Sequence, residues 1–377
     1  MPAEPLFLYG TLRDARVYGA VAGEGLDGAP AHLPGHTVAE ALGPQGQTLG
    51  FPLFTALPGA AAQGVIVHPS PKARARLDFY ETVFGYDPAP ITVQTAGGPV
   101  QALIYLPRAG QWLPGEAWDL DDWSARRGDL TAEIAAEVMA LQDQASPEAI
   151  LQRYGMLAAR VSSRRRARAE PAPATLRRIP AAGDVITEAQ RTPYTWFFGV
   201  EETDLRFRRF NGSHSAAVTR AGFVMGDAVT VLPYDPVRDA VMLVEQFRYG
   251  PHARGDANPW SLEPVAGRVD PFESPEDAAR REAQEEARLT LRALHPVARY
   301  YVSPGAVTEY LISYVGIADL PLSAEGVSGL EIEAEDIRAH VIPFDRLVAL
   351  VASGEVENAP LLVSAQWLML NRARLRG

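Results

Sequence analysis

The feature that most constrains this chain is an acidic segment of fixed spacing between residues 267 and 289. Its fixed positions, from the amino end, are Gly267, Glu273, Arg281, Glu282, Glu285, Glu286 and Leu289. Ser274 and Pro275 are residue types favoured at a helix start, so the segment predicts a helix over residues 274–287. Glutamates at positions i, i+3 and i+4 share one helical face. The sequence therefore predicts three carboxylates side by side on one helix.

Three like charges at this spacing destabilise a bare helix by roughly 0.2–0.5 kcal/mol per pair. A bound cation removes that cost, and carboxylate oxygens suit Mg²⁺ or Mn²⁺. Such ions bind phosphate oxygens and lower the pKa of water, which is what hydrolysis of a diphosphate needs. A solvated helix face is the alternative, and it explains residues 282–286 taken alone. It does not explain the complete spacing, so we expect a metal-dependent hydrolase of a diphosphate bond.

Length and composition set the class of protein. At 377 residues, with 47% hydrophobic and 21% charged residues, the chain is globular and long enough for two or three domains. It contains no cysteine, which excludes disulfides, thiolate zinc sites and a cysteine nucleophile. The net charge of -11 argues against nucleic acid as a partner. The sequence has neither a long apolar span nor a signal-peptide pattern, so we expect a cytoplasmic protein that does not bind a membrane.

The pattern along the chain predicts two unrelated α+β domains in tandem. Before residue 110, short β-branched and aromatic runs ended by Gly or Pro predict strands, with one helix over residues 70–80. Helical spacing follows over residues 115–154, and strands return after residue 180. Residues 160–178 carry a basic run interrupted by Pro-Ala-Pro, which we interpret as a solvated connector rather than a binding patch. The expected divisions are a first domain over residues 1–160, a linker over 161–182 and a second domain over 183–377.

The acidic segment has the spacing of the Nudix box, and residues 187–374 resemble the ADP-ribose pyrophosphatase branch of the Nudix hydrolases. The matching stretches include VLPYDPVRDAVMLVEQFR, PWSLEPVAGRVD, YYVSPGAVTE and GEVENAPLLVSAQWLML. Pro304 lies 15 residues beyond Leu289, where that branch carries its distinguishing proline. The resemblance implies an α/β/α sandwich that hydrolyses ADP-ribose to AMP and ribose 5-phosphate with Mg²⁺ or Mn²⁺. It also implies a homodimer that exchanges its N-terminal strands, here within residues 185–218.

The same resemblance implies roles for individual residues. The metal ligands would be the carbonyl of Ala266 and the carboxylates of Glu282, Glu285, Glu286 and Glu335. Glu333 would activate the attacking water from a mobile loop, although an acidic surface turn is the alternative for that loop. The contacts to the nucleoside diphosphate substrate would come from Arg220, Arg248, Phe197, Phe198, Ser303 and Glu309. For the arginines the alternative is surface ion pairs, and for the phenylalanines it is core packing.

One position departs from the box. Arg288 stands where the family carries a glycine two residues after the last glutamate. That glycine relieves backbone strain where the helix ends and does not bind metal. We therefore expect a slightly altered helix terminus and retained activity.

The first domain resembles the γ-glutamylcyclotransferase-like family over residues 5–110, through LFLYGTLR and LDFYETVFGY. The resemblance implies a mixed β-barrel with helices. A cradle of backbone amides would hold a γ-glutamyl compound at Tyr9, Gly10, Thr11 and Leu12. Glu81 would take a proton from the α-ammonium group so that the amine can attack the side-chain amide. The alternative is a structural carboxylate in a domain that keeps only the fold, and residues 14–18 do not match the family's small polar run.

Several functions remain open at this stage. A different nucleoside diphosphate sugar would use the same metal site, so the box alone cannot separate substrates. A module that senses ADP-ribose without hydrolysing it, with the main activity a γ-glutamyl cyclotransferase in the first domain, is a further alternative. The retention of every box carboxylate argues against a pure sensor. The tandem order is similar to that of bacterial proteins associated with tellurite resistance, a label that identifies no reaction.

Overall fold

The computed structural model describes residues 4–108, 110–170, 172–195, 198–321, 326–328 and 336–376. The chain divides into two compact units, Met1–Val161 and Ser162–Gly377. In the described part of the chain, no helix combines the length and apolar character needed to cross a membrane.

The first unit is built around a closed mixed barrel. Its strands are β1 (Leu6–Leu8), β2 (Gly28–Leu42), β3 (Thr48–Val67), β4 (Tyr86–Thr95), β5 (Gly98–Pro107) and β6 (Leu113–Ala117). The strand order is β3-β1-β5-β4-β2-β6, and an additional pairing of β2 with β3 closes the barrel. β1 is antiparallel to β3 and parallel to β5. The predicted mixed barrel is confirmed.

Helices cover one side of this barrel. They are α1 (Ala15–Ala22), α2 (Pro71–Val83), α3 (Leu120–Trp123), α4 (Asp129–Ala140), α5 (Pro147–Leu151) and α6 (Tyr154–Ala169). Successive side chains of a strand point to opposite faces, so Phe7 and Tyr9 pack inside the barrel while Leu6 and Leu8 pack against the helices. The predicted helix over residues 70–80 is confirmed as α2, which begins after a Ser70 cap and ends three residues later than expected.

The second unit contains two sheets. Its strands are β7 (Val185–Thr195), β8 (Gly199–Phe207), β9 (Val218–Val224), β10 (Ala228–Asp235), β11 (Ala240–Phe247), β12 (Trp260–Glu263), β13 (Val265–Arg268), β14 (Ala293–Tyr301), β15 (Tyr310–Ile317), β16 (Gly326–Ser328) and β17 (Ile337–Pro343). The main sheet follows the order β14-β15-β10-β11-β17-β16, with β12 paired to β11 and β13 to β10. β10 and β15 are parallel, whereas β11 and β17 are antiparallel. Strands β7, β8 and β9 form a smaller antiparallel sheet.

Helices lie on both faces of the main sheet. They are α7 (Tyr249–Arg254), α8 (Pro275–Ala287), α9 (Phe344–Ser353) and α10 (Ala359–Arg376). Along β11, Met242 and Val244 join the core beneath α8, while Val241 and Leu243 join the core beneath α9 and α10. Alternate residues of β11 thus pack into two separate cores, one on each face of the sheet. The predicted α/β/α sandwich is confirmed.

The segment expected to be a solvated connector differs from that expectation in its first part. α6 continues to Ala169, and the structure groups its residues from Ser162 onward with the second unit. The buried carboxylate of Asp227 accepts hydrogen bonds from Ser163 Oγ at 2.5 Å and Arg166 Nε at 2.6 Å. Arginines that a sequence pattern assigns to solvent thus make ion pairs, because the second unit offers them a buried acceptor.

Candidate functional site

Helix α8 carries the three glutamates of the acidic segment. Ser274 caps the helix by accepting a hydrogen bond from the backbone of Asp277 at 3.1 Å, as the sequence predicts. Ala278, Ala279 and Ala283 are fully buried against the sheet. Small side chains on this face let the helix backbone lie close to β13, which brings the glutamates to the strand that carries Ala266 and Gly267.

The carboxylate of Glu282 rests directly on the backbone of Gly267. A Cβ atom built at residue 267 would lie 1.9 Å from Glu282 Cδ. Such a contact is shorter than any non-bonded distance, so a side chain at this position would displace the carboxylate. The fixed glycine of the acidic segment is therefore explained by the space that Glu282 occupies.

Glu286 is 4% exposed and is held by the same strand. Its Oε2 accepts a hydrogen bond from the backbone N–H of Ala266 at 3.1 Å. A buried carboxylate needs such a partner, because an unsatisfied one would be costly. The contact joins Glu286 to the residue whose carbonyl the sequence resemblance assigns to the metal.

Arg281 connects three other fixed positions of the acidic segment, Glu273, Glu282 and Glu285. Its guanidinium contacts both carboxylate oxygens of Glu273, at 3.0 and 3.1 Å. It also reaches Glu282 Oε1 at 2.7 Å and Glu285 Oε2 at 3.0 Å, and it donates to the carbonyl of Arg268. One arginine thus offsets three carboxylates, and its planar fork suits this multiple contact.

Burial disfavours the charged form of part of the acidic cluster despite this arginine. Burial raises the pKa of Glu282 to about 7, against the opposing effect of Arg281. Burial also raises the pKa of Asp270, with Arg281 again opposing. A desolvated group of this kind gains stability when a cation approaches, because the ionised form is then favoured.

These residues fit a hard divalent cation in their chemistry. Glu282, Glu285 and Glu286 supply oxygen donors, and the glycine backbone leaves room beside them. Within the described residues, no three histidine, aspartate or glutamate side chains form a ready-made metal cluster. Arg281 engages Glu282 and Glu285, while Glu286 is turned to Ala266. Glu333 and Glu335 lie outside the residues that the structure describes.

The end of α8 corrects one expectation. Arg288 itself adopts the left-handed conformation, with φ 55° and ψ 31°. The backbone N–H groups of Arg288 and Leu289 donate to the carbonyls of Gln284 and Ala283, at 3.1 and 2.9 Å. This is the hydrogen-bond pattern of a glycine-terminated helix. The expectation of an altered helix terminus is therefore wrong. Arg288 adopts the left-handed backbone conformation itself, at a steric cost that glycine would avoid.

In the first unit, Glu81 lies among tyrosines. Tyr9 directly after β1, Tyr86 on β4 and Tyr105 on β5 all lie within electrostatic reach of its carboxyl group. Burial raises the pKa of Glu81 to about 8, with a further contribution from the negative charge of Asp78. Glu81 is therefore able to exchange a proton near neutral pH, as a general acid or base must.

Asp78 is tied to other partners on the same side of the barrel. It accepts a hydrogen bond from the Tyr105 hydroxyl at 2.6 Å and another from Arg74 Nε at 2.8 Å. Arg74 therefore compensates the charge of Asp78 and not that of Glu81.

The predicted amide cradle begins where β1 ends. Tyr9 and Leu12 are buried, and Thr11–Arg13 form a 3-10 turn. A Cβ atom at Gly10 would lie 2.8 Å from Pro52 Cγ, so the turn needs glycine at this close approach. The unmatched residues that follow have a structural role, because Asp14 caps α1 through the backbone of Arg16.

Comparison with known proteins agrees with this arrangement. Residues 225–362 match the family model of the NUDIX domain, and residues 6–125 match that of Gamma-glutamyl cyclotransferase, AIG2-like. The ADP-ribose pyrophosphatase of Escherichia coli (strain K12) is 41% identical over 193 residues, 51% of this chain and 91% of that protein. The chain belongs to the Nudix hydrolases. It carries a cyclotransferase-like domain and a Nudix domain in tandem.

Two further relatives cover the Nudix domain. The ADP-ribose pyrophosphatase of Haemophilus influenzae is 35% identical over 195 residues, 51% of this chain and 89% of that protein. The GDP-mannose pyrophosphatase of Enterobacter sp. (strain 638) is 30% identical over 146 residues, 39% of this chain and 75% of that protein. Nudix proteins named for different substrates therefore resemble this chain to different extents.

The predicted substrate residues of the Nudix domain lie in two places. Arg248 and Glu309 form one group, and Phe198, Ser303 and Arg220 form another on or beside β9. Arg248 and Glu309 lie within electrostatic reach of one another, and burial raises the pKa of Glu309 against the effects of Arg268 and Arg248. Phe198 packs edge-on against Phe223 of β9, with ring centroids 5.0 Å apart.

The turn that contains Ser303 contacts β9 at Phe223, the residue against which Phe198 packs. The Ser303 carbonyl accepts hydrogen bonds from Ala306 and Val307, and the neighbouring backbone of Ala306 pairs with Phe223. Arg220 is exposed on β9, where it donates to the carbonyl of Thr219 at 3.1 Å. Phe197 lies outside the described residues.

Sequence reasoning missed two charged residues beside this Nudix site. Glu263 ends β12 and bonds to Arg248, while Arg268 follows the fixed glycine and lies within electrostatic reach of Glu309. Both stand in the matched stretch PWSLEPVAGRVD. A charged residue on a short strand next to the box was the available signal.

Proposed function

We propose that the Nudix domain, over residues 183–377, hydrolyses ADP-ribose to AMP and ribose 5-phosphate with Mg²⁺ or Mn²⁺. The observation that carries this proposal is the contact of the partly buried Glu282 carboxylate with the bare backbone of Gly267, beside the buried Glu286. Two relatives named ADP-ribose pyrophosphatase, at 41% and 35% identity, support the choice of substrate.

The carboxylates of Glu282, Glu285 and Glu286 and the carbonyl of Ala266 would hold the ion, with Glu335 as a further ligand. When bound, such an ion offsets the charge of the diphosphate oxygens and lowers the pKa of water. Gly267 leaves space for Glu282, and Arg281 keeps the neighbouring carboxylates in place.

Other side chains of the domain would act on the substrate and the water. Arg248 and Arg220 would contact the diphosphate, because a planar guanidinium pairs with two phosphate oxygens. Glu309 and Ser303 would contact the ribose side, and Phe197 and Phe198 would border the adenine. Glu333 would take the proton of the attacking water, and its loop would exclude bulk solvent.

A substrate panel tests this proposal. Purified protein with Mg²⁺ is incubated with ADP-ribose, GDP-mannose, other nucleotide sugars and dinucleotides, and the release of mononucleotide is measured. ADP-ribose should have the highest kcat/KM. A preference for GDP-mannose would favour the second group of relatives. Binding of ADP-ribose without product would indicate a sensor and contradict the proposed reaction.

A second activity is favoured by the surroundings of Glu81. The α-amine of a γ-glutamyl compound would attack its own side-chain amide carbonyl, forming 5-oxoproline and releasing the amine of the broken amide bond. Glu81 would take one proton from the α-ammonium group and return it to the leaving nitrogen. The ring nitrogen loses a second proton as the lactam forms, and the released amine takes up one proton to leave as an ammonium ion, so protons and charge balance. The raised pKa of Glu81, about 8, suits both of its transfers.

Release of 5-oxoproline from γ-glutamyl peptides tests this activity. It should be lost in Glu81→Gln and kept in Glu116→Gln, an exposed glutamate of the same domain. If wild-type protein releases none from any γ-glutamyl peptide or amine, the domain keeps only the fold.

We also propose a homodimer formed by exchange of strands within residues 185–218. Val185, Ile186 and Phe207 on the smaller sheet are 62%, 43% and 39% exposed, which is apolar surface that a second copy would cover. Sedimentation equilibrium should give twice the mass of one chain. The cytoplasmic location and the association with tellurite resistance stay predictions.

A further inference from the structure

Glu263 and Arg248 form a close ion pair at the edge of the proposed substrate site. Arg248 Nε lies 3.0 and 3.2 Å from the two carboxylate oxygens of Glu263, and its terminal NH2 lies 2.6 Å from Oε2. Contacts from two guanidinium nitrogens to one carboxylate fix the orientation of the plane as well as its distance.

The two partners differ in their exposure. The side chain of Glu263 is 6% exposed, whereas that of Arg248 is 43% exposed. The carboxylate thus grips the arginine from the protein side, while a large part of the guanidinium and its stem faces solvent. The backbone is fixed too, since Arg248 N donates to the carbonyl of Pro259 at 2.9 Å.

Glu263 also lies close in sequence to the proposed metal site. It ends β12, and β13 begins two residues later with the stretch that holds Ala266 and Gly267. β12 pairs with β11, where Val244 is opposite Glu263 and Phe247 is opposite Trp260. Arg248 follows directly after β11. The ion pair therefore joins the arginine to the strand pair that leads into the acidic cluster.

We propose that Glu263 is a positioning residue that holds the Arg248 guanidinium in the orientation in which it receives the substrate diphosphate. This inference rests on the proposed function, in which Arg248 contacts that diphosphate. A free arginine side chain samples many rotamers and loses that freedom on binding phosphate. Because the ion pair with Glu263 already restricts the Arg248 side chain, less conformational entropy is lost when phosphate binds. Such preorganisation increases affinity.

The charges around Arg248 agree with this role. Glu263 and Glu309 are both within its reach, and Arg268 is near Glu309. Two anions beside a cation would weaken phosphate binding if all were equally exposed. Glu263 is buried behind the arginine, so it orients the guanidinium while lying on the side away from solvent.

A kinetic and binding series on the full chain tests the proposal. We would measure KM and kcat for ADP-ribose with Mg²⁺, and the calorimetric Kd, for wild type, Arg248→Ala, Arg248→Lys, Glu263→Gln and the double variant Arg248→Ala/Glu263→Gln. Glu170→Gln removes one partner of another Arg–Glu pair, with Arg299, and is the matched control.

Glu263→Gln should raise KM and Kd about tenfold, or about 1.4 kcal/mol, and change kcat less than about threefold. The double variant should be no worse than Arg248→Ala, because Glu263 acts through Arg248. Arg248→Lys should also raise KM, because an ammonium group is not planar and cannot make the two-nitrogen contact with the Glu263 carboxylate. Glu170→Gln should change neither KM nor Kd.

Unchanged KM and Kd in Glu263→Gln, or effects that multiply in the double variant, would overturn the positioning role. If Glu263→Gln does not fold, Glu263→Asp decides, because it keeps the negative charge but draws the carboxylate away from Arg248: a raised KM and Kd would support the positioning role, and unchanged values would overturn it. Wild-type protein that binds ADP-ribose without hydrolysing it would contradict the proposed reaction, yet the Kd series would still decide the role of Glu263. If wild type does not bind ADP-ribose at all, both proposals fail.

Discussion

The two units each bury glutamates, and these glutamates differ in the charge that surrounds them. In the Nudix domain, Arg281 bonds to Glu282 and Glu285, and a backbone N–H bonds to Glu286. In the cyclotransferase-like domain, Glu81 is ringed by tyrosines, and the nearby cation Arg74 is bonded to Asp78. Among the residues that the structure describes, Arg281 gives the first cluster a counter-charge, whereas no basic side chain is bonded to Glu81.

This difference separates two uses of the same residue type. Arg281 opposes the rise that burial causes in the pKa of Glu282, to about 7, and a bound cation would favour the ionised form further, which is what a metal ligand requires. A carboxyl that is desolvated without a counter-charge keeps its proton to a higher pH, which suits proton transfer. The surroundings, and not the glutamate, therefore decide the chemistry that we propose for each domain.

The largest expected effect is on the Nudix reaction. Glu286→Gln should lower kcat for ADP-ribose by at least about a hundredfold, or about 2.7 kcal/mol of barrier. Glutamine still offers an oxygen to the Ala266 N–H, so the fold is kept while the charge is lost. Steady-state kinetics at saturating Mg²⁺ measure the loss. Glu276→Gln, on the same helix, is the control and should keep its activity; a loss under threefold in Glu286→Gln would contradict the metal assignment.

The second-largest effect is expected when the positive charge of Arg281 is removed. Arg281→Ala should lower the free energy of unfolding by about 2–3 kcal/mol, because three carboxylates lose their shared partner. Millimolar Mg²⁺ should restore more stability to this variant than to wild type, since the ion can replace the lost positive charge. Thermal melts with and without Mg²⁺ measure both effects.

Arg254→Ala, which removes an exposed ion pair with Asp256, should cost less than about 1 kcal/mol and show no extra response to Mg²⁺. An equal Mg²⁺ response in Arg281→Ala and wild type would mean that the arginine does not offset the charge at the cation site.

The Glu81 carboxyl should make the stability of its domain depend on pH. Its pKa is about 8 in the folded protein against an ordinary 4.5, so its contribution is complete below about pH 4.5 and is lost as the pH rises toward 8. Between pH 5 and pH 7, wild type should lose about 2 kcal/mol relative to Glu81→Gln. Urea unfolding curves at both pH values measure this, with the exposed Glu116→Gln as the control. Parallel pH dependence in wild type and Glu81→Gln would remove the contrast between the two acidic sites.

The elements that the sequence predicts well are those fixed by local spacing. The bounds of α8, its Ser274 cap and the shared face of its glutamates follow from residues within one segment. The capped start of α2 is of the same kind. In these cases short-range periodicity and capping chemistry carry the information.

The contacts that give each site its charge depend on strand register. Tyr86 and Tyr105 lie on β4 and β5, Tyr9 directly follows β1, and the three meet around Glu81 only because these strands come together in the barrel. The pairing of Glu263 with Arg248 likewise depends on how β12 aligns with β11. No local pattern encodes such a register, because it is set by the packing of whole sheets. The ion pair of Arg166 on α6 with Asp227 was missed for the same reason.

The smallest expected effect concerns the end of the acidic helix, where Arg288 holds a left-handed conformation. Arg288→Gly should raise the free energy of unfolding by about 0.5–1 kcal/mol, because glycine adopts this conformation without a Cβ clash but loses more chain entropy on folding. Arg288→Ala is the matched control: it removes the same side chain, keeps the Cβ atom and should bring no gain. Urea midpoints of the two variants measure the difference, and kcat should stay within twofold of wild type in both. Equal midpoints would show that the strain at this helix end is relieved elsewhere in the domain, whereas a gain confined to Arg288→Gly would attribute the cost to the backbone alone.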